Sequence, residues 1–471
     1  MWRFFKDFLI YGVASVIGKI VAIFLMPIYT NILTKEEYGA MALITSVGGI
    51  IDLMSNLNIH SGIARDYYEE DIDRKTLVST GFISILGISL SVLTLLFFTR
   101  SFWSTTVLGL DESFLPVFTV FLFTNPLSSI QSYFSILTRY KKKPILYSIG
   151  TIIKLIIQVA ISVYGVVVLR AGIISVFIGF LVSDLFGVFF FSFINREFIS
   201  FSFDKKLLRR AFLFALPTLP ALLAGWLDNS FGQVLIGKYV SVSELGVYSI
   251  ALSFASIFSL ISVAFQNVWN PFLFENHKKQ EFEFDIRKLF SVFSVLLIII
   301  SVSLSLFSRE LVLLLSNEGY LSASKYITLL CVPMSFYLLF PFASSGILIS
   351  RDTKYIGISY VIGSVANMLL LLFTIRNFGV IAVPISLSVS RILSFFVLNV
   401  VSESKLKYKL PIHLLFFLIV AVVVCFLIVQ NDAPLLLRVI VATTTIAVLI
   451  MILEKKYCVH ATIIQMMKKG K

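Results

Sequence analysis

Charged residues are scarce in this 471-residue chain: Asp, Glu, Lys and Arg together make up 14% of it, against 58% hydrophobic residues. Mean hydropathy is +0.95. The apolar residues stand in long continuous runs, whereas the strands of a half-buried sheet would show an alternating pattern. This composition excludes a soluble globular protein. The sequence therefore predicts an all-α polytopic membrane protein.

Residues that build enzyme sites are also sparse. The chain has three cysteines and four histidines, and they are too scattered to indicate a disulfide framework or a metal site. It has no Gly-rich phosphate loop and no Ser/His/Asp set on a shared helix face. A membrane glycosyltransferase or ligase would carry long outer loops, and the first outer loop here is only TKEEY. We therefore expect a transporter, not an enzyme, that needs no cofactor.

The apolar runs are long enough to cross a hydrocarbon layer of about 30 Å. Fourteen spans are predicted, at 8–33, 39–63, 77–99, 113–138, 145–168, 171–194, 211–237, 244–271, 289–308, 326–349, 354–375, 378–401, 411–430 and 434–454.

Basic residues are divided unequally between alternate connections. Of the 39 lysines and arginines, 28 lie in the tails and one set of connections, and 8 lie in the other set. By the positive-inside rule the richer set faces the cytoplasm, which places both termini there. Membrane topology thus explains the net charge of +13, which does not indicate nucleic-acid binding.

Two short segments recur at one offset. EEYGAM at 36–41 matches SELGVY at 243–248, and 171–174 matches 378–381, each 207 residues apart. An equal offset at distant places predicts two duplicated, parallel units of six helices related by a pseudo-twofold axis. The predicted organisation is a six-helix lobe at 1–194, an amphipathic cytoplasmic linker at 195–210, a second six-helix lobe at 211–401, and two additional helices with a basic tail at 402–471. A simple basic loop is the alternative for 195–210.

Six ionisable residues lie near the centres of predicted spans, where a charge costs about 2.5–3.5 kcal/mol unless it has a partner or a wet cavity. Some continue polar stripes at helical spacing, as Lys154 does with Thr151 and Gln158. Two interpretations stay open: structural ion pairs that let the helices insert, or a cation-lined cavity for an anionic substrate with carboxylates as counter-ions or coupling-ion sites. The six are Lys19, Asp52, Lys154, Asp184, Asp228 and Arg391.

Three stretches carry a family resemblance. They are FLIYGVASVIGKIVAIFLMPIYTNILTKEEYGAMALI, ALPTLPALLAGWLDNS and GSVANMLLLLFTIRNFGVIAVPISLSVSRILSF. They resemble bacterial polysaccharide and O-antigen flippases, the polysaccharide-transporter branch of the multidrug/oligosaccharidyl-lipid/polysaccharide exporter superfamily. The resemblance covers nearly the whole chain, but its motifs are diffuse and do not identify a substrate.

The resemblance implies a V-shaped pair of lobes around a central cavity, in a multi-pass protein of the bacterial cytoplasmic membrane. It also implies that the protein moves an undecaprenyl-diphosphate-linked oligosaccharide (an O-antigen, capsule or exopolysaccharide repeat unit) from the inner to the outer leaflet by alternating access. Family cavities are generally basic. The implied contacts for a diphosphate or acidic sugar are Lys19, Lys154 and Arg391, and the candidate coupling or counter-ion residues are Asp52, Asp184 and Asp228.

One departure from the resemblance concerns the seventh span. Family members often carry an Asp-Arg pair late in that span, where this chain has Ser230–Gln233. Asp228 is the candidate substitute, or the coupling differs. The implied partners are the lipid-linked oligosaccharide, membrane lipids, a proton or sodium ion, and a polysaccharide polymerase with its glycosyltransferases. A multidrug cation antiporter and a peptidoglycan-precursor flippase are the alternatives, and the three intramembrane basic residues argue against the first.

Overall fold

The computed structural model describes residues 2–406 and 409–457. Within these ranges, the side chains of 2–16, 263–264, 267, 450 and 452–457 are not described. The chain divides into two compact units, Met1–Gly246 and Val247–Lys471. The described residues form helices joined by short connections, without a strand among them.

The first unit contains ten α-helices among the described residues and the first turn of an eleventh. They are α1 (Trp2–Ile32), α2 (Lys35–Asn56), α3 (Ile59–Asp66), α4 (Arg74–Phe98), α5 (Leu115–Tyr140), α6 (Pro144–Val163), α7 (Ile174–Ile194), α8 (Lys205–Ala215), α9 (Leu219–Trp226), α10 (Gly232–Tyr239) and the start of α11 (Val242–Asn276).

The second unit contains the rest of α11 and the helices that follow it. They are α12 (Phe282–Leu306), α13 (Ser308–Leu315), α14 (Ala323–Ala343), α15 (Ser345–Ile349), α16 (Lys354–Phe378), α17 (Ala382–Lys405), α18 (His413–Gln430) and α19 (Leu435–Tyr457).

The membrane spans confirm the predicted fold class. Among the described residues, 11 helical segments are long and apolar enough to cross a membrane, and one of them, Lys354–Lys405, contains both α16 and α17. Two further apolar stretches, Ile17–Ile32 of α1 and Leu435–Leu449 of α19, lie within the first and last predicted spans. Together these segments correspond to all fourteen predicted spans, so the chain is an all-α polytopic membrane protein.

The second predicted span, 39–63, is interrupted in the structure. Leu57 and Asn58 have left-handed backbone conformations, with φ of 44° and 54°. Asparagine adopts this region because its short polar side chain can hydrogen-bond locally. Here the Asn58 N–H donates to the side-chain oxygen of Asn56 at 2.9 Å. The break ends α2 and redirects the chain into α3, which packs against α8.

The seventh predicted span, 211–237, consists of several short helical pieces. Between α8 and α9 lies a 3-10 turn at Leu216–Thr218, and between α9 and α10 lies a π-helical turn at Leu227–Phe231. Pro217 and Pro220 stand in the first turns of the 3-10 segment and of α9. Proline is favoured in a first turn because the N–H that it lacks would have no acceptor within the helix at that position. These prolines therefore start new helical segments inside the span.

The first part of the segment at 195–210 is bonded to α4 and to the end of α5. The Lys141 ammonium lies 2.8 Å from the carboxylate of Glu197, and this hydrogen bond lowers the pKa of Glu197. The hydroxyl of Ser79 donates to the carbonyl of Phe198 at 2.6 Å. Further along, α8 begins at Lys205, inside the predicted linker. The location of this segment on the membrane surface stays a prediction.

Two glycines allow α2 and the first turn of α11 to touch backbone to backbone within the first unit. A Cβ added to Gly39 would collide with the carbonyl oxygen of Val242, and one added to Gly246 would collide with that of Lys35. The contact is reciprocal, and its residues are related by the offset of 207 found in the sequence. Small residues at such crossings let helices pack closely where no hydrophobic driving force exists between them.

A buried arginine fastens α19 within the second unit. Arg438 is 7% exposed. Its guanidinium donates to both carboxylate oxygens of Glu310, at 2.7 and 2.9 Å, and to the carbonyl of Leu306 at 3.0 Å. Such two-point contacts are among the stronger hydrogen bonds in proteins. They tie the last described helix to the end of α12 and the start of α13.

Candidate functional site

A lysine and an aspartate meet inside the first unit. Lys154 lies near the middle of α6 and Asp184 near the middle of α7, and the two helices pack together. The ammonium nitrogen is 2.5 Å from a carboxylate oxygen, and the two side chains are 23% and 7% exposed. The structure thus pairs a predicted substrate contact with a predicted counter-ion.

Lys154 has a second partner on a third helix. Its ammonium donates to the side-chain oxygen of Gln131, on α5, at 2.9 Å. An ammonium has three donors and no acceptor capacity. The carboxylate and the amide oxygen therefore orient the lysine from two sides, and both acceptors lie on helices adjacent to α6.

A second carboxylate lies near this pair. Asp52, on α2, accepts hydrogen bonds from Ser129 of α5 and from Asn56 of its own helix, each at 3.1 Å. Ser129 and Gln131, which bind Asp52 and Lys154, lie two residues apart on α5. We name Asp52, Gln131, Lys154 and Asp184 the charge cluster; its four members come from α2, α5, α6 and α7.

The charge cluster has a formal charge of −1, because it contains two carboxylates and one ammonium. In a membrane interior, where the dielectric constant is low, an uncompensated charge is costly. A second positive charge, either a proton on one carboxylate or a small cation, would neutralise the cluster. Alternatively, an anion that approached Lys154 would compete with Asp184 for the ammonium. The arrangement is therefore suited to link the binding of an anion to the uptake of a cation.

Two of the other predicted residues also lie in the first unit. Lys19, on α1, is partly exposed. Asp228 is 7% exposed and stands in the π-helical turn of the seventh span. The turn just before it is held to α2 by Trp226, whose indole N–H donates to the carbonyl of Ser46 at 2.8 Å.

The sixth residue, Arg391, lies on α17 in the second unit. It is 6% exposed. Its guanidinium carbon lies 4.9 Å from the ring centroid of Tyr337 and 5.9 Å from that of Phe340, both on α14. Aromatic faces attract cations, by about 2 kcal/mol or more where water is excluded. Arg391 is thus held between two helices of its own unit with an aromatic surface beside it.

Polar residues of the fourth predicted span were not identified as candidates from the sequence. Gln131 belongs to the charge cluster, Ser129 contacts it, and Asn125 accepts a hydrogen bond from Ser55 of α2 at 2.5 Å. The sequence does contain a signal for these residues, because α5 carries several amides and hydroxyls within one apolar run. Neutral residues are nevertheless common in membrane helices, so their presence alone did not single out this helix.

Comparison with solved structures shows the fold. A structure described as lipid II flippase MurJ in an inward closed conformation superimposes with a TM-score of 0.76 at 15% identity, covering 95% of this chain and 99% of that one. An inward-facing multidrug resistance MATE family transporter of the MOP superfamily gives 0.65 at 13% identity, with 84% and 94% covered. An outward-facing MATE family transporter gives 0.59 at 13% identity, with 85% and 96% covered. At these identities the likeness concerns the fold alone, which is that of membrane transporters.

The sequence itself has a family match. No curated protein sequence matches the chain significantly. The family model described as "Polysaccharide biosynthesis protein", however, matches residues 28–325, which is more than half of the chain and includes the whole charge cluster. Together with the transporter fold and the resemblance noted in the sequence, this match establishes that the chain belongs to the polysaccharide biosynthesis protein family.

Proposed function

We propose that this protein is a flippase that moves an undecaprenyl-diphosphate-linked oligosaccharide from the inner to the outer leaflet of a bacterial cytoplasmic membrane. The observation that carries the proposal is the match to a polysaccharide biosynthesis family in a chain with the fold of membrane transporters. The cargo is a repeat unit for O-antigen, capsule or exopolysaccharide. Both termini face the cytoplasm in this proposal, as the distribution of basic residues predicts.

The transport problem is one of desolvation. A diphosphate and a hydroxyl-rich oligosaccharide lose their water contacts in a bilayer, and each unpaired polar group costs several kcal/mol there. A polar path within the protein lowers this barrier, while the polyprenyl tail stays in lipid. Lys19, Lys154 and Arg391 supply positive charge for the diphosphate or for acidic sugars. Rocking of the two predicted six-helix lobes then changes the side to which the path opens.

The charge cluster supplies a coupling mechanism. In this proposal the substrate diphosphate draws the Lys154 ammonium away from Asp184, and the released carboxylate takes up a proton or a sodium ion. Asp52 holds the cluster negative, which favours this uptake. Asp228 plays the corresponding role in the seventh span, where family members often carry an Asp-Arg pair.

The cation antiporter is a second candidate, since the charge cluster carries one more carboxylate than ammonium and the fold also matches MATE transporters. Here a cationic substrate would interact with Asp52 and Asp184, and Lys154 would only hold the site together. A peptidoglycan-precursor flippase is the closer variant of the main proposal, because its cargo is also a lipid-linked diphosphate.

The test is an analysis of lipid intermediates after depletion of the protein. Polyprenyl-diphosphate sugars are extracted and identified by mass spectrometry, and their leaflet is determined by probe access in sealed vesicles. We expect a completed oligosaccharide trapped on the cytoplasmic leaflet, released by the wild type but not by Lys19→Ala or Arg391→Ala. Lys75→Ala, which removes an exposed cation at the start of α4, is the matched control and should restore transport.

Other outcomes separate the alternatives. Normal lipid-linked sugars with increased sensitivity to cationic drugs would favour the antiporter. Accumulation of the peptidoglycan precursor alone would favour that substrate. Wild-type transport by well-expressed Lys19→Ala and Arg391→Ala variants would remove these residues from the substrate path and leave the flippase activity itself in place.

A further inference from the structure

A basic pocket of about 850 Å³ opens between α3 and α8 in the first unit. This volume lies in the range of small-molecule sites, about 300–1,000 Å³. Its walls combine four cations with an apolar surface. The lining residues that carry the argument are Arg65, Lys206, Arg209, Arg210, Leu213 and Phe214.

One face of α8 and the turn that follows it forms most of the wall. Residues 206, 209, 210, 213, 214 and 217 line the pocket, and their spacing of three and four places them on a single helix face. The cations occupy the first two turns, and the apolar residues follow directly. The α8 side of the pocket therefore changes from positively charged to apolar along the helix, which matches a ligand with an anionic head and a hydrocarbon chain.

Contacts between α3 and α8 hold the geometry of the pocket. Asp66, at the end of α3, is buried, and one of its carboxylate oxygens lies 2.9 Å from Nε of Arg210, whose side chain is 47% exposed. The guanidinium carbon of Arg65 lies 5.1 Å from the ring centroid of Phe214. Behind them, a Cβ added to Gly62 would come within 2.5 Å of the carbonyl oxygen of Ala211, so α3 and α8 are in backbone contact.

The positive-inside rule alone would place these cations in a solvated loop. That rule does not explain the aromatic ring of Phe214 beside Arg65 or the buried carboxylate of Asp66 beside Arg210. Nor does it explain the apolar surface next to these arginines. The planar guanidinium group can recognise phosphate oxygens at two points. The pocket thus has the chemistry of a phosphate site and not only that of a topology signal.

The charge of the pocket selects the kind of phosphate. Four cations and Asp66 give a formal charge of +3. The phosphodiester of a common phospholipid such as phosphatidylglycerol carries one negative charge, and a diphosphate diester carries two. A diphosphate therefore compensates more of the pocket charge than a phospholipid head group does.

We propose that the α3–α8 pocket binds the diphosphate group of a polyprenyl-diphosphate lipid on the predicted cytoplasmic face, with the first isoprenoid units against Leu213 and Phe214. This inference rests on the proposed flippase function and adds a docking site separate from the charge cluster. In this proposal the lipid-linked substrate first binds at this pocket, beside the interrupted second and seventh spans, and then crosses the membrane.

The test measures binding to the full-length protein in phosphatidylcholine nanodiscs by native mass spectrometry. Undecaprenyl diphosphate and phosphatidylglycerol are titrated separately. The variant Arg65→Gln/Arg209→Gln removes two exposed guanidiniums and leaves the Arg210–Asp66 pair intact. We expect its affinity for undecaprenyl diphosphate to fall at least about tenfold, as the loss of charge-assisted hydrogen bonds predicts, with little change for phosphatidylglycerol.

Two further variants complete the design. Arg196→Gln is the matched control, because Arg196 is also an exposed arginine above an aromatic ring, 4.7 Å from the centroid of Phe193, outside the pocket. It should bind as the wild type does. Lys206→Glu reverses a charge in the first turn of α8, where the helix dipole favours an acidic side chain. It should therefore fold normally and still weaken diphosphate binding.

Unchanged diphosphate binding in both pocket variants would overturn the proposal. A selective loss of phosphatidylglycerol binding would overturn the proposal too, because the pocket would then be a site for a structural phospholipid. These results leave the proposed function in place, provided that the wild type binds undecaprenyl diphosphate. If the wild type binds none, the proposed function fails as well.

Discussion

The ion pair between Lys154 and Asp184 allows a quantitative test of the charge cluster. At 2.5 Å, two unit charges attract by about 6–7 kcal/mol at an effective dielectric constant of 20. Loss of water by both groups offsets much of this attraction. Removal of one partner is nevertheless costly, because Asp184 is only 7% exposed and would remain as an uncompensated charge. Buried pairs broken in this way lose about 3–5 kcal/mol.

We therefore predict that Lys154→Met lowers the free energy of unfolding by about 3–5 kcal/mol, whereas Lys154→Met/Asp184→Leu recovers most of the loss. Replacement of both charges by apolar groups of similar volume is often neutral or stabilising. The measurement is unfolding of the purified protein in detergent, followed by intrinsic fluorescence. The control is Arg287→Met, because Arg287 and its partner Glu283 are 43% and 51% exposed. Exposed pairs contribute about 1 kcal/mol or less.

The same double variant separates the two interpretations of Lys154. If it folds and transports as the wild type does, the pair is structural and Lys154 is not a substrate contact. If it folds but does not transport, the charges serve the transport cycle. A single Lys154→Met variant with wild-type stability would refute the calculation, because it would mean that Asp184 is not an isolated buried charge without its lysine.

Two further predictions concern packing. Gly62→Ala should destabilise the first unit by about 1–3 kcal/mol, the usual cost of overpacking. The reason is that the added Cβ would press on the backbone of Ala211. The measurement is the thermal unfolding midpoint of the purified protein. Arg438→Ala should cost about 1–3 kcal/mol, since Glu310 loses a two-point partner but is 39% exposed and can still reach solvent. Its readout is faster proteolysis of the α18–α19 connection.

Each packing variant has a control within the chain. Gly87, in the middle of α4, has no atom within 4 Å of an added Cβ, so Gly87→Ala should be neutral or stabilise by up to about 1 kcal/mol. Arg438→Lys retains a cation near Glu310 and should lose less than the alanine variant. Equal effects of Gly62→Ala and Gly87→Ala, or unchanged proteolysis in Arg438→Ala, would contradict the packing described here.

The broken helices show where local sequence is informative. In the seventh span, Pro217 and Pro220 are visible in the sequence, and each begins a new helical piece. In the second span, the break at Leu57 and Asn58 contains neither proline nor glycine, and the span was predicted to be continuous. The left-handed turn is held there by contacts with distant residues, among them a hydrogen bond from Asn58 to Thr218 at 2.7 Å. A tertiary contact of this kind leaves little trace in the local sequence.

The sequence by itself determined that the chain is a helical membrane protein, where its spans lie and which charges are unusual. These properties depend on the thickness of the hydrocarbon layer and on the cost of each charge within it, and both act on one helix at a time. The tertiary structure decided that Lys154 pairs with Asp184 and that Arg65 faces α8. Such contacts depend on which helices are neighbours and how each is rotated about its axis. In lipid, that choice comes from packing and hydrogen bonds between helices, which only the folded chain brings together.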